Sequence, residues 1–305
     1  MLKMLPYVLM ISALLFASVQ TKVEAYAEDR EPEANTGLTE QQSVSAENFM
    51  VAAANPYASE AGFNILKKGG SAVDAAIAVQ LVLTLVEPQS SGIGGGTFML
   101  YWDKNKQHLT TFDGRETAPK AATSSLFLND TGKPVRWIEA VVGGRSVGVP
   151  GVLHAFKQAH QKYGKLPWAT LFEDAIKLAE QGFIVSPRLE KLVAMQFNPG
   201  LSRLPMSSEY FFPNKQSIKA GQLLKNPQLA KVLNSIAKEG LKPFYQGWIA
   251  EKIVNAVQKS IVAPGLLSMD DMKNFRSKER SAVCGPYREY KVCGMAPPSS
   301  GGIAV

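Results

Sequence analysis

Histidine and cysteine are both scarce, at three and two among 305 residues. The histidines, His108, His154 and His160, lack metal-ligand spacing such as HExxH, and 154 and 160 lie too far apart for one helical turn. No metal site is expected from them, and surface or core roles are. Two cysteines cannot form a disulfide framework. Cys284 and Cys293 either pair across a hairpin, with Gly285-Pro286 helping the turn, or stay as buried free thiols, and their spacing does not decide between these. Long apolar runs are also missing, since Leu5–Ser18 contains Pro6 and falls short of the roughly 20 residues that a spanning helix needs. No stable membrane span is expected. Basic residues exceed acidic ones, 33 to 26, yet no Lys/Arg run is interleaved with aromatics. That pattern argues against a nucleic-acid partner and reads as a solvated surface with a slight bias toward small anions. Internal repeats and low-complexity arrays are absent too.

What is present begins with a targeting pattern. Lys3 precedes the apolar stretch, and Val23-Glu24-Ala25 or Ala25-Tyr26-Ala27 offers small residues for cleavage. Residues 1–25 are therefore expected to be a cleaved signal peptide, and the mature protein periplasmic or secreted. Its removal takes away Lys3, Lys22 and Glu24 and lowers the net charge of +7 by one. Residues 26–49 are polar and aperiodic, and are expected to be a flexible leader. Hydrophobic content of 46% with 19% charged residues is globular, and the length suffices for a sizeable core.

Order is expected from Met50–Ala54, a small-residue run suited to a packed strand. Asn55-Pro56 then opens a helix, with asparagine as N-cap and proline at the first position, and Gly69-Gly70 ends it. Ser71 and Asp74 form a capping-box pair for Ala72–Val86, which is apolar nearly all round and reads as a buried helix. Further helices are expected at Ser124–Phe127 (short), Gly151–Tyr163, Leu171–Gln181, Asn226–Lys238 and Gly247–Lys259, and a short one at Met269-Asp270-Asp271. Residues 196–222 read as irregular, and Tyr287–Met295 as a strand.

The chain is organised around Ser91–Pro119. A glycine-packed turn (Gly92, Gly94, Gly95, Gly96) leads into two β-like runs, Thr97–Trp102 and His108–Phe112, joined by Asp103–Gln107. The hairpin delivers Asp113-Gly114-Arg115-Glu116 at a strand end. Arginine there is a permanently charged planar fork that grips a carboxylate with two hydrogen bonds. The bland alternative is an arginine paired with Asp113 or Glu116. As a phosphate cradle the glycines fail, because no Lys-Ser/Thr follows them and a helix precedes them. Tight packing beside a sheet is the better account. No organic cofactor is expected.

EPQSSGIGGGTFMLYW followed by DGRETAP resembles the large subunit of the γ-glutamyltranspeptidase (glutathione hydrolase) family. The likeness runs from about Met50 to the last residue, through GVPGVLHAFKQAHQKYGKLPWATLFEDAIKLAEQGFIV, NPQLAKVLNSIAKEGLKPFYQGWIAEKIV, LLSMDDMKNF and YREYKVCGMAPPSSGG, in one order. It implies an α+β fold, the four-layer αββα sandwich of N-terminal-nucleophile hydrolases, with residues 50–305 as a partial large subunit. It also implies a precursor that cuts itself at a threonine. The freed threonine is the nucleophile of the small subunit, with its own α-amine as base. A γ-glutamyl-enzyme then passes its acyl group to water or to an amino acid or peptide, and small-subunit glycines hold the oxyanion.

The family's Thr-Thr-His junction is not found in this sequence. Thr110-Thr111, the one tandem pair, lies upstream of the DGRE motif, and the chain stops in the apolar run Gly302–Val305. The expectation is a truncated precursor whose nucleophilic threonine lies beyond Val305, so that no catalytic residue is expected within the chain. By resemblance Arg115 binds the α-carboxylate of the γ-glutamyl group, and the tandem serines Ser299-Ser300 are a structural turn. The expected partners are glutathione and other γ-glutamyl compounds, and a small subunit from the same precursor. Two rival readings stand beside this one. The first is a related acylase (cephalosporin or glutaryl) or a poly-γ-glutamate transferase. The second is a non-catalytic exported binding protein.

Overall fold

The computed structural model describes residues 42–304. The expected signal peptide and most of the expected leader lie outside the described residues. Residues 42–49 form neither helix nor strand.

The helix Pro56–Lys67 starts where local chemistry places it, with the Asn55 side chain accepting from the Tyr57 N–H. The helix Ala72–Val86 opens on the reciprocal capping box of Ser71 and Asp74. It is the centre of the core. Ile77, Leu81 and Val82 are fully buried, as is Asp74, whose Oδ2 also accepts from the backbone of Lys165 and Leu166. Burying each of these aliphatic side chains stabilises the fold by about 1.5–3 kcal/mol. Around it pack Pro56–Lys67, Val152–Tyr163 and Glu173–Gln181, the last preceded by a 3₁₀ turn at Trp168–Phe172. Helices Pro227–Glu239 and Trp248–Gln258 bury Leu233, Ile236, Ala250 and Val254 and extend the same core.

The strands are β1 (Phe98–Asp103), β2 (His108–Asp113), β3 (Phe183–Ile184), β4 (Leu223–Leu224), β5 (Lys278–Arg280), β6 (Val283–Tyr287) and β7 (Tyr290–Gly294). The principal sheet is antiparallel with the order β1-β2-β5, and Phe98 faces Asp113 while Thr111 faces Arg280. One face lies on helix Val152–Tyr163, where the Tyr163 ring lies tilted against Tyr101 with centroids 4.2 Å apart and meets Phe112 edge-on. The other face exposes Leu100 and Trp102.

Several expectations need correction. Met50–Ala54 is not a strand: no strand pairs with it among the described residues, and Ala53 instead packs on the core as irregular backbone. Ser124–Phe127 is a turn, closed by the Leu128 N–H on the Ser125 carbonyl. The stretch 196–222 holds short helices at Gly200–Arg203 and Pro205–Phe211. Tyr287–Met295 is not one strand but the end of β6, a turn at Arg288-Glu289 and β7. The cysteines do pair across that hairpin, as register partners with Cα atoms 4.1 Å apart, but Gly285-Pro286 lies within β6 and takes no part in the turn.

Candidate functional site

Gly114 continues the β1–β2 ladder by one step, exchanging hydrogen bonds with Thr97. A Cβ on Gly114 would come 2.8 Å from the Gly151 carbonyl oxygen and 2.7 Å from Ala155, so the strand end lies directly on the first turn of helix Val152–Tyr163. The Gly95 carbonyl accepts from the N–H groups of both Gly151 and Val152. Glycine turn, strand end and helix start are thus tied together, and Arg115 leaves from that junction.

Arg115 is exposed, with 60% of its side chain accessible, and its Nη1 lies 3.3 Å from Glu116 Oε2. Asp113 does not pair with the guanidinium. Its Oδ1 accepts from the Arg115 backbone N–H at 3.0 Å, and its Oδ2 accepts from Arg280 Nη1 at 2.8 Å. Arg280 Nη1 also donates to the Pro297 carbonyl. The result is a strand end whose backbone is anchored while its arginine fork stays open to solvent. Arg115 thus pairs with Glu116, and its side chain still projects outward.

Glu116 reaches back under the glycine turn, where a Cβ on Gly96 would lie 2.3 Å from Oε2. That oxygen is buried and accepts no hydrogen bond, which leaves the Arg115 guanidinium as its ion-pair partner. Gln80, Pro88, Ser90, Ser91, the glycines and Glu116 line a cleft of about 370 Å³. Glu87, next in sequence to the lining residue Pro88, is buried, accepting from Asn55 Nδ2 at 2.8 Å with Arg188 Nε 3.6 Å away. The glycines therefore admit a carboxylate side chain from this same chain, in keeping with tight packing beside the sheet.

The tandem threonines are buried. Thr111 Oγ1 donates to the Arg280 carbonyl at 2.7 Å, and Thr110 Oγ1 lies 3.2 Å from the Tyr163 hydroxyl. They hold the sheet together and face no cleft at the arginine. Ser299 sits in a turn, its N–H on the Ala296 carbonyl. His108 is exposed at the start of β2. His154 and His160 are partly buried, with His154 Nδ1 on Ser277 Oγ at 2.7 Å and His160 Nε2 on the Leu166 carbonyl at 2.9 Å. Burial, reinforced by the charge of Arg276, holds the His154 pKa below the ordinary histidine value. Among the described residues no three His, Cys, Asp or Glu side chains cluster as a metal site would require.

Arg280 went unnoticed in the sequence. It stands 167 residues from Asp113, and no local pattern marks it. The one available signal was that β2 needs a neighbour on its far edge.

This arrangement can hold an anion at a rigid strand end, and it offers no activated nucleophile of its own among the described residues. Its architecture has counterparts. The crystal structure of Helicobacter pylori γ-glutamyltranspeptidase superposes with a TM-score of 0.81 at 34% identity, covering 86% of this chain and 73% of that one. The fold is therefore the α+β fold of the N-terminal-nucleophile hydrolases. The family model for γ-glutamyltranspeptidase matches residues 58–305, and the chain belongs to that family. Glutathione hydrolase 3 of Arabidopsis thaliana is 40% identical over 260 residues, which is 85% of this chain and 39% of that protein. The glutathione hydrolase proenzyme of Bacillus subtilis strain 168 is 37% identical over 294 residues, 96% of this chain and 49% of that protein. The chain thus spans about half, or less, of the length of these curated relatives.

Proposed function

We propose that this chain is the substrate-carboxylate half of an exported γ-glutamyltransferase/glutathione hydrolase. The observation that carries the reading is the Arg115 fork, open to solvent yet fixed at its backbone by Asp113, which is itself held by Arg280. A carboxylate meeting that fork gains two charge-assisted hydrogen bonds at a position that needs little reordering on binding. The donor is glutathione or another γ-glutamyl compound, gripped by its α-carboxylate at Arg115. The nucleophile is a threonine of a small subunit cut from the same precursor, with its α-amine as base. The acyl-enzyme then yields to water in hydrolysis or to an amino acid or peptide in transfer. Named relatives that are glutathione hydrolases support this reading over the acylase one.

The test is N-terminal sequencing of the native gene product, purified from the exported fraction of its own cell and assayed with a γ-glutamyl anilide. Two polypeptides, one starting near Tyr26 or Glu28 and the other at a threonine outside residues 1–305, together with anilide cleavage, are the expected result. A single stable polypeptide without that activity would turn the reading toward the non-catalytic binding protein.

A further inference from the structure

A second cavity, of about 880 Å³, lies away from the Arg115 strand end, between the tip of the β1–β2 hairpin and the β6–β7 hairpin. Its walls include Trp102, His108, Arg280 and Lys291, and both Cys284 and Cys293 line it. Among the described residues nothing shields the disulfide as a core would: Cys284 is exposed and Cys293 half-buried. Accessible disulfides are the ones that small thiols can reduce.

The charges around it favour an anionic visitor. Glu279, the acidic residue in the lining, is engaged by Lys162, and Arg280 by Asp113. Lys291, also in the lining, makes no ion pair among the described residues. It precedes Cys293 by two residues and opposes Pro286 across the ladder, so its charge belongs to the same hairpin as the disulfide. Trp102, about half exposed, adds an apolar wall.

We propose that the Cys284–Cys293 disulfide is a thiol-exchange site for low-molecular-weight thiols that carry carboxylates. The incoming thiolate attacks Cys284 Sγ, a mixed disulfide forms, the protein S–S bond breaks, and Cys293 Sγ leaves as a thiolate that is protonated by solvent. A second thiolate attacks the sulfur of the bound small molecule, giving a small-molecule disulfide and free Cys284. Two thiols are oxidised and the protein disulfide is reduced by the same two electrons. Backbone pairing from Val283↔Gly294 to Tyr287↔Tyr290 keeps the hairpin in place while the bond is open. The proposal rests on the disulfide and its cavity, and holds whether or not the γ-glutamyl reading does.

The experiment treats the full chain with reduced glutathione, with neutral 2-mercaptoethanol and with cationic cysteamine at matched thiolate concentration, and follows intact mass with time. A single glutathionyl adduct is expected, forming about threefold or more faster per thiolate than the neutral adduct, with cysteamine slowest. Lys291→Gln, whose fold is checked by its melting curve, brings the rates together, as does about 1 M salt, where the screening length is ~3 Å. The salt series stands by itself should the variant fail to fold. A disulfide that stays intact with all thiols overturns the proposal, and so do rates that are equal across the three thiols or indifferent to both Lys291 and salt.

Discussion

Arg280 Nη1 donates to Asp113 Oδ2 at 2.8 Å, and this side-chain contact adds to the β2–β5 ladder in fixing the backbone from which Arg115 projects. The pair closes the β2–β5 edge beside the Thr111↔Arg280 register. Asp113 is nearly buried, whereas about a third of the Arg280 side chain is exposed. The carboxylate therefore depends on its partners more than the guanidinium does.

Arg280→Ala is accordingly expected to lower stability by about 1–3 kcal/mol, the cost of leaving a mostly buried carboxylate short of its charged donor. Urea denaturation measures it, read as a lower midpoint at unchanged slope. An unchanged midpoint would mean that the pair holds nothing.

The glycine turn is tight at one position and open at another. At Gly96 an added methyl would meet Glu116 Oε2 at 2.3 Å and the Arg115 Cα at 3.1 Å, whereas nothing lies within 4 Å of one at Gly94. Gly96→Ala should cost about 1–3 kcal/mol through displaced backbone. Gly94→Ala should stay within about 0.5 kcal/mol of the parent. Thermal melts of the two variants side by side check this, and equal effects would contradict the packing account.

His154 sits beside Tyr245 and Phe275 with ring centroids 6.0 and 5.8 Å away, and burial followed by Arg276 lowers its pKa. The unfolded chain takes up a proton on this residue near pH ~6.5, whereas the folded chain does so at lower pH. Above about 6.5 both states are neutral there and the residue adds no pH dependence. As pH falls further the unfolded state binds the proton first, so stability drops until the folded form also protonates. His154→Gln should lose less unfolding free energy than the parent between about pH 7.5 and 5.5. Equal losses in the two proteins would contradict the assignment.

How much of this could be read in the sequence depended on range. Caps at Asn55 and Ser71 are contacts between neighbours two or three residues apart, and both are where the residue types put them. The β1–β2 hairpin followed from alternating apolar runs around a polar turn, and Arg115 from the strand end that the hairpin created. The helix Pro187–Met195 was overlooked although Ser186 and Pro187 carry a cap and a first-turn proline, because nine residues give its period only about two and a half turns to show. Met50–Ala54 has the composition of a strand but no pairing partner among the described residues, and strand identity is decided by pairing. Arg280 and the seating of Glu116 under Gly96 were out of reach, because one joins residues far apart in sequence and the other depends on where a turn folds back.

The proposed grip of the Arg115 fork on a substrate carboxylate is put to the test by steady-state kinetics of the native enzyme carrying Arg115→Lys. Replacing two parallel charge-assisted hydrogen bonds by a single point charge should raise KM for a γ-glutamyl anilide by about 10- to 100-fold, equivalent to about 1.5–3 kcal/mol, with kcat changed far less. Unchanged KM and kcat would remove Arg115 from the site.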